Sequence, residues 1–154
     1  MRQILKTLSK EKAKEIVGIV GIDTAYNILM QEMEARPKVQ GLSMPQFGQL
    51  QAAFMCRRKG KLIFMANPKI IFKFGSRRSL EGCESVKGYW YVKRPLFTVV
   101  EYTNEKHEVV RKFCTWKLSR IVNHEYDHLQ GITIKDHGKY WYGNSHLEAK
   151  YGKR

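Results

Sequence analysis

The sequence predicts an α+β fold in which mostly antiparallel strands pack around one late helix. Three observations carry that expectation: a central series of short apolar segments separated by turn residues, a glycine-bearing hairpin signal within it, and one amphipathic helical segment after it. With 154 residues, 43% of them hydrophobic and 12% aromatic, the chain can bury its own core and does not have a disordered composition. One domain is expected over residues 1–154. It divides into a helical N-terminal region (1–36), loops and strands (37–114), a helix (115–131) and a short basic tail (132–154).

Residues 10–20 suit a short helix. A second helix is better marked, with Asp23 as N-cap, Tyr26, Leu29, Met30 and Met33 at helical spacing, and Pro37 as its stop. The loop "KVQGLSMPQFGQL" follows. "LQAAFMC" and "KLIFMA" then flank "RRKG" as a hairpin, and "KIIFKF" forms a separate strand after Pro68. "SRRSLEGCES" reads as a second loop. Strands are expected at "GYWYV", "LFTVVEY" and "EVVRKFC", the last two joined by "TNEKH". "TWKLSRIVNHEYDHL" is the strongest helix, capped by Thr115 and stopped by Gly131. The remainder, around "YWYGNS", reads as irregular with a short helix at its end.

The formal charge is +14, and residues 37–114 hold 15 basic against 5 acidic residues. Such a field favours polyanions, although no basic block is long enough for a nucleic-acid arm, and a solvated surface accounts for it equally well. The longest apolar run, "IVGIVGI", is too short to span a bilayer and is followed by no small-residue cleavage site, so no membrane partner is expected. Three widely spaced cysteines, Cys56, Cys83 and Cys114, argue against a disulfide scaffold and for a reducing, cytoplasmic setting.

On the late helix, Leu118, Ile121, Val122, Glu125 and Leu129 share one stripe, so a carboxylate interrupts an apolar face. His124 and His128 stand beside it one turn apart, with Cβ atoms separated by roughly 6 Å. Two imidazoles at that spacing can grip one divalent metal ion, and a neighbouring Glu can exchange protons with a water the metal acidifies. A chance match on a surface helix is the bland alternative. Further ligands are needed. Ile134 stands where the extended zinc-protease pattern has a third His, and Glu148 lies in a tail too short to fold back as a helix. Cys83, in the glycine-flanked turn "EGCES", is the attractive candidate, whereas Cys56 and Cys114 end apolar runs and read as buried.

Three stretches in order, "GLSMPQFG" (41–48), "EGCES" (81–85) and "HEYDHLQG" (124–131), resemble the three signature motifs of peptide deformylases. The resemblance covers about residues 39 to 135. It implies a peptide deformylase-like fold and hydrolysis of the formyl group from N-formylmethionyl nascent peptides. It also implies that Cys83, His124 and His128 ligate the metal and that Glu125 is the catalytic acid/base. Gln46 and the backbone N–H of Glu84 would hold the developing oxyanion, and Gly41, Arg94 and Arg120 would face the substrate. The implied cofactor is one divalent metal, ferrous iron in the cell, with zinc, nickel or cobalt able to occupy the site. Weak ribosome association is a further expectation; DNA is not an expected partner.

The chain departs from the family pattern at Gln40, Ser43, Met44, Glu84 and Lys87, and Arg120 stands where the family lines its methionine pocket with apolar side chains. An ion pair between Glu84 and Arg120 at the pocket rim would reconcile two of these departures. Two rivals remain at this level: an amidase for another small N-acyl group, and a basic RNA-binding module with a structural metal. His107, His137 and His146 are the spare ligands the second rival would draw on.

Overall fold

A computed structural model describes residues 2, 4, 9–16, 21–83 and 85–140. Its elements in chain order are α1 (Lys10–Ala13), α2 (Ile22–Glu34), β1 (Gly41–Ser43), a 3-10 turn (Met44–Phe47), β2 (Ala53–Arg58), β3 (Lys61–Phe74), β4 (Arg77–Cys83), β5 (Val86–Arg94), β6 (Phe97–Thr103), β7 (Val109–Cys114), α3 (Trp116–Leu129), α4 (Ile134–His137) and β8 (Lys139–Tyr140). Five strands form an antiparallel sheet in the order β1-β2-β3-β6-β7, and β4-β5-β8 form a second one. The α+β expectation holds. Among the described residues no helix is long and apolar enough to cross a membrane.

The core follows from the period-two alternation of strands. Ala53 and Met55 of β2 pack with Leu29 and Met33 of α2, whereas Phe54 and Cys56 pack with Leu118 and Val122 of α3. Phe64 and Met65 of β3 divide in the same way. The larger sheet is therefore covered on both faces, which is why β2 reads as continuously apolar rather than alternating. The β2–β3 hairpin closes through Lys59 and Gly60, both at positive φ (51° and 76°), the signature of a tight turn that follows strand twist.

Four expectations need correction. Residues 61–74 form one strand, not two: Asn67 at φ 49° and the missing N–H of Pro68 produce a register shift between Ala66 and Lys69, and pairing with β6 then resumes. The stretch read as the second loop contains β4, whose inward residues are polar and so show no apolar alternation. Gly21, not Asp23, is the N-cap of α2; Asp23 sits in its first turn, where a negative charge suits the helix dipole. Within 10–20 only Lys10–Ala13 is helical among the described residues. The tail begins with α4 and β8, and the helix expected near its end, with His146 and Glu148, lies outside the described residues.

Candidate metal centre

The site is built where β4 runs beside α3. Residues two apart on a strand advance about 6.6 Å along one face, and residues four apart on a helix advance about 6 Å. The two periods nearly match, so side chains pair like rungs. Cys83 Sγ lies 3.4 Å from His128 Nε2, the Nδ1–H of His124 donates to Glu81 Oε1 at 2.8 Å, and Arg120 Nη1 is 3.5 Å from Ser79 Oγ. Ser79, Glu81 and Cys83 are buried on one face of β4, facing the successive turns of α3.

The lowest two rungs bring one thiol and two imidazoles together: the ligating atoms of Cys83, His124 and His128 all lie within 4.8 Å of one another. His128 is 1% exposed and Cys83 6%. Because Glu81 engages Nδ1 of His124, its Nε2 is left for the cluster. This donor set suits zinc or iron rather than magnesium or calcium, and Glu125 Oε1 is buried beside it with no partner among the described residues. The residues present fit a divalent metal.

Burial of Glu125 raises its carboxyl to about 7, against the opposing pull of His124 and Arg94. His124 is shifted well upward: burial lowers it, but hydrogen bonding to Cys83 and Glu81 outweighs burial. Burial and the neighbouring His124 push His128 well down, so it is neutral, as a ligating imidazole must be. Glu81 is lowered to about 2 despite burial, because His124 and Arg94 hold its charged form.

Glu81 is itself fixed from behind. Arg94, 4% exposed, donates through Nη2 to Oε1 (2.9 Å) and through Nε to Oε2 (3.0 Å) of Glu81, and through Nη1 to Asp127 Oδ2 (2.6 Å). Arg94 thus stands behind His124 rather than on the cleft wall. Asp127, on the turn of α3 between the two histidines, closes the chain Asp127–Arg94–Glu81–His124. Such a network orients an imidazole and makes it a better donor.

On the other wall, the 3-10 turn holds Gln46. Its Oε1 accepts from the Ser43 N–H (2.9 Å) and hydroxyl (3.1 Å), while Nε2 donates to Ser85 Oγ at 3.0 Å. The amide orientation is thereby set, and Gln46 lines the cleft wall. Gly41 lies against Glu125: a Cβ there would sit 2.6 Å from Oε2 and 2.9 Å from Cδ. Gly41→Ala is therefore expected to displace the Glu125 carboxylate at unchanged metal content, measured by a crystal structure and metal analysis of the variant.

A cleft of about 240 Å³ opens between these walls, lined among others by Gly41, Gln46, Cys83, Arg120, His124 and Glu125. Six of the residues singled out from sequence thus meet in one place. Arg94 does not line the cleft, and Glu84 lies outside the described residues, so its N–H and its pairing with Arg120 do too. Sequence reading missed Glu81, Ser85 and Asp127 as supporting residues. Glu81 carried a usable signal, standing two positions before Cys83 and hence on the same strand face. Cys56 and Cys114 are fully buried free thiols, and burial raises the pKa of both, as expected for packing cysteines.

A family model described as polypeptide deformylase matches residues 2–141. A peptide deformylase of Alkaliphilus metalliredigens is 36% identical over 119 residues, covering 75% of this chain and 81% of the relative. One from Acetivibrio thermocellus is 32% identical over 137 residues, covering 87% of this chain and 77% of the relative. The crystal structure of peptide deformylase from Thermus thermophilus superposes with a TM-score of 0.76 at 26% identity, covering 87% of this chain and 83% of that one.

Proposed function

The chain belongs to the peptide deformylase family, a family of metal-dependent hydrolases acting on formylated nascent peptides, and from that premise we propose how its residues divide the work. Cys83, His124 and His128 hold the metal, Glu125 moves the proton, and Gln46 with the N–H of Glu84 binds the formyl oxygen. The observation that carries this reading is the convergence of one thiol and two imidazoles beside a buried carboxylate whose Oε1 has no partner among the described residues.

A divalent metal bound there supplies Lewis acidity, making a water a competent nucleophile near neutral pH. Glu125 accepts the proton that water loses and delivers it to the nitrogen of the departing peptide, for which a carboxyl held at about 7 is well placed. Gln46 is oriented in advance by Ser43 and Ser85, so its N–H₂ can meet the oxygen as negative charge develops there. Gly41 leaves the carboxylate its space and offers backbone to an extended peptide. Arg94, through Glu81, holds His124 in place. The products are formate and a free N-terminal methionine.

Three protein donors is the number that catalytic zinc sites use, and closed structural sites use four. Among the described residues no fourth His, Cys, Asp or Glu joins the cluster, which favours the enzyme over an RNA-binding module with a structural metal. We take ferrous iron to be the occupant in the cell and the cytoplasm, beside ribosomal RNA that a +14 chain attracts, to be the setting. The direct test is anaerobic formate release from formyl-Met-Ala-Ser by iron-loaded protein. Turnover abolished by a chelator and restored by added metal is the expected result. Turnover of acetyl-Met-Ala-Ser at an equal rate would instead favour a general N-acyl amidase.

A further inference from the structure

On the face of the larger sheet that points away from α3, the cover provided by α2 ends partway. α2 packs over β1, β2 and the near half of β3, and no residue of β6 or β7 joins that cluster. Beyond it Phe74, Phe97 and Phe113 stand in a row across β3, β6 and β7. Phe74 lies directly opposite Phe97, and Phe113, opposite Val99, is the diagonal neighbour. The rings are nearly parallel: Phe74 and Phe97 have centroids 6.2 Å apart at 21°, and Phe97 and Phe113 have centroids 5.6 Å apart at 15°. Both ends of this stack are open. β2 pairs with β3 only as far as Ala66, and β7 is the last strand of the sheet. Phe74 is accordingly 60% exposed and Phe113 61%. Large apolar side chains gathered at the surface mark a place where something docks.

The charge around the stack says what docks there. Residues 69–78, 93–100 and 109–120 hold ten basic residues and no acidic one. Arg94 and Arg120 belong to the metal site, which leaves eight cations in these segments. Arg77 follows Phe74 by three residues, Trp116 follows Phe113 by three, and the Arg77 guanidinium lies over the Trp116 ring at 5.1 Å. Arg78 lies over Tyr91 in the same manner, at 4.8 Å. A guanidinium stacked flat on a ring keeps its N–H edge for a phosphate. Among the described residues no salt bridge engages Lys73, Arg77 or Arg78. A second copy of the chain would set like charge against like charge. An anionic bilayer matches the charge, but its acyl chains offer no planar partner to the open rings. Unpaired bases do, because every base has a π-face, and rings flanked by cations hold a single strand by stacking and by its phosphates.

We propose that the Phe74–Phe97–Phe113 stack, with Lys73 and Arg77 beside it, is a docking surface for single-stranded RNA. Bases stack on the open faces of Phe74 and Phe113, and phosphates meet the two cations. RNA rather than DNA follows from the proposed substrate, a nascent peptide, and that choice alone rests on the deformylase reading. The full metal-loaded chain is titrated by fluorescence anisotropy with a labelled oligoadenylate of about twelve nucleotides. Phe74→Ala and Phe113→Ala are each expected to weaken binding by about tenfold, and Phe74→Trp to strengthen it. Arg77→Ala weakens it as well and makes its salt dependence shallower. Formate release is expected to stay unaltered in the Phe variants, because the stack lies across the sheet from α3. Phe74→Trp removes no packing, so it decides the matter even where a truncated variant fails to fold. Equal Kd for the unaltered protein and all three Phe variants reduces binding to charge alone and overturns the surface. A duplex RNA bound as tightly as the single strand overturns it too, and tighter binding of oligodeoxyadenylate overturns the choice of RNA. Phe-dependent binding to phosphatidylglycerol vesicles without binding of RNA gives the face to a lipid surface instead, against the proposal. If no formyl peptide releases formate, the deformylase reading fails, and the anisotropy series still decides the surface.

Discussion

Glu125→Gln is expected to lower kcat for formyl-Met-Ala-Ser by a factor of roughly 100 to 10,000 while metal content stays that of the unaltered protein. The substitution keeps the volume and most of the polarity of the side chain, so packing against Gly41 survives and only proton uptake is removed. The carboxylate is 4% exposed, its Oε1 has no partner among the described residues, and burial raises its pKa to about 7. A purely structural glutamate in that position would be a liability, since a buried carboxylate without a partner destabilises the fold. The two roles thus predict opposite results. If Glu125 only filled space, Glu125→Gln would leave turnover intact and raise the unfolding midpoint. If it moves the proton, kcat falls steeply and KM changes little, because the lost interaction belongs to the transition state. Formate release and metal analysis on the same preparation separate the cases.

Arg94→Met is expected to destabilise the protein by about 3–5 kcal/mol, read from the denaturant midpoint at pH 7. Arg94 and Glu81 are each 4% exposed at their side chains and Asp127 is 19% exposed, so removing the guanidinium takes the cation from two carboxylates, one of them buried with His124 as its remaining partner. Methionine matches the volume of the arginine stem, and the loss is therefore one of charge rather than of packing. The pH dependence has a definite sign. Glu81 is lowered from its ordinary value of 4.5 to about 2 by His124 and Arg94, against burial. Its contribution is present above about pH 4.5 and disappears as pH falls through about 2. The gap between the two proteins is thus full at pH 7 and narrows below pH 4.5. Metal affinity is expected to fall about 10- to 100-fold as well, because the Glu81 carboxylate that orients His124 loses its own anchor. A purely local role for Arg94 would leave metal affinity unchanged.

What the sequence made legible has a physical pattern. The late helix was readable because its period of 3.6, its cap at Thr115 and its stop at Gly131 agree, and the His-Glu-x-x-His spacing is a property of that one element. Cys83 emerged only by elimination and by the motif order, since its approach to His128 is a tertiary fact. β4 was hidden for the reason that it matters: its buried face carries Ser79, Glu81 and Cys83, so a residue pattern tuned to apolar alternation saw a loop. Arg94 could be placed near the pocket by resemblance, yet its partners Glu81 and Asp127 come from β4 and α3, 13 and 33 residues away along the chain. The break expected at Asn67-Pro68 was a real irregularity, but pairing on both sides carried the strand through it.

The central claim is that Cys83, His124 and His128 hold one metal ion together. X-ray absorption on zinc-loaded protein tests it most directly. One sulfur near 2.3 Å and two imidazole nitrogens at about 2.0–2.1 Å, with the sulfur lost in Cys83→Ala, is the predicted result. A first shell of oxygen and nitrogen alone, unchanged by that substitution, would contradict it.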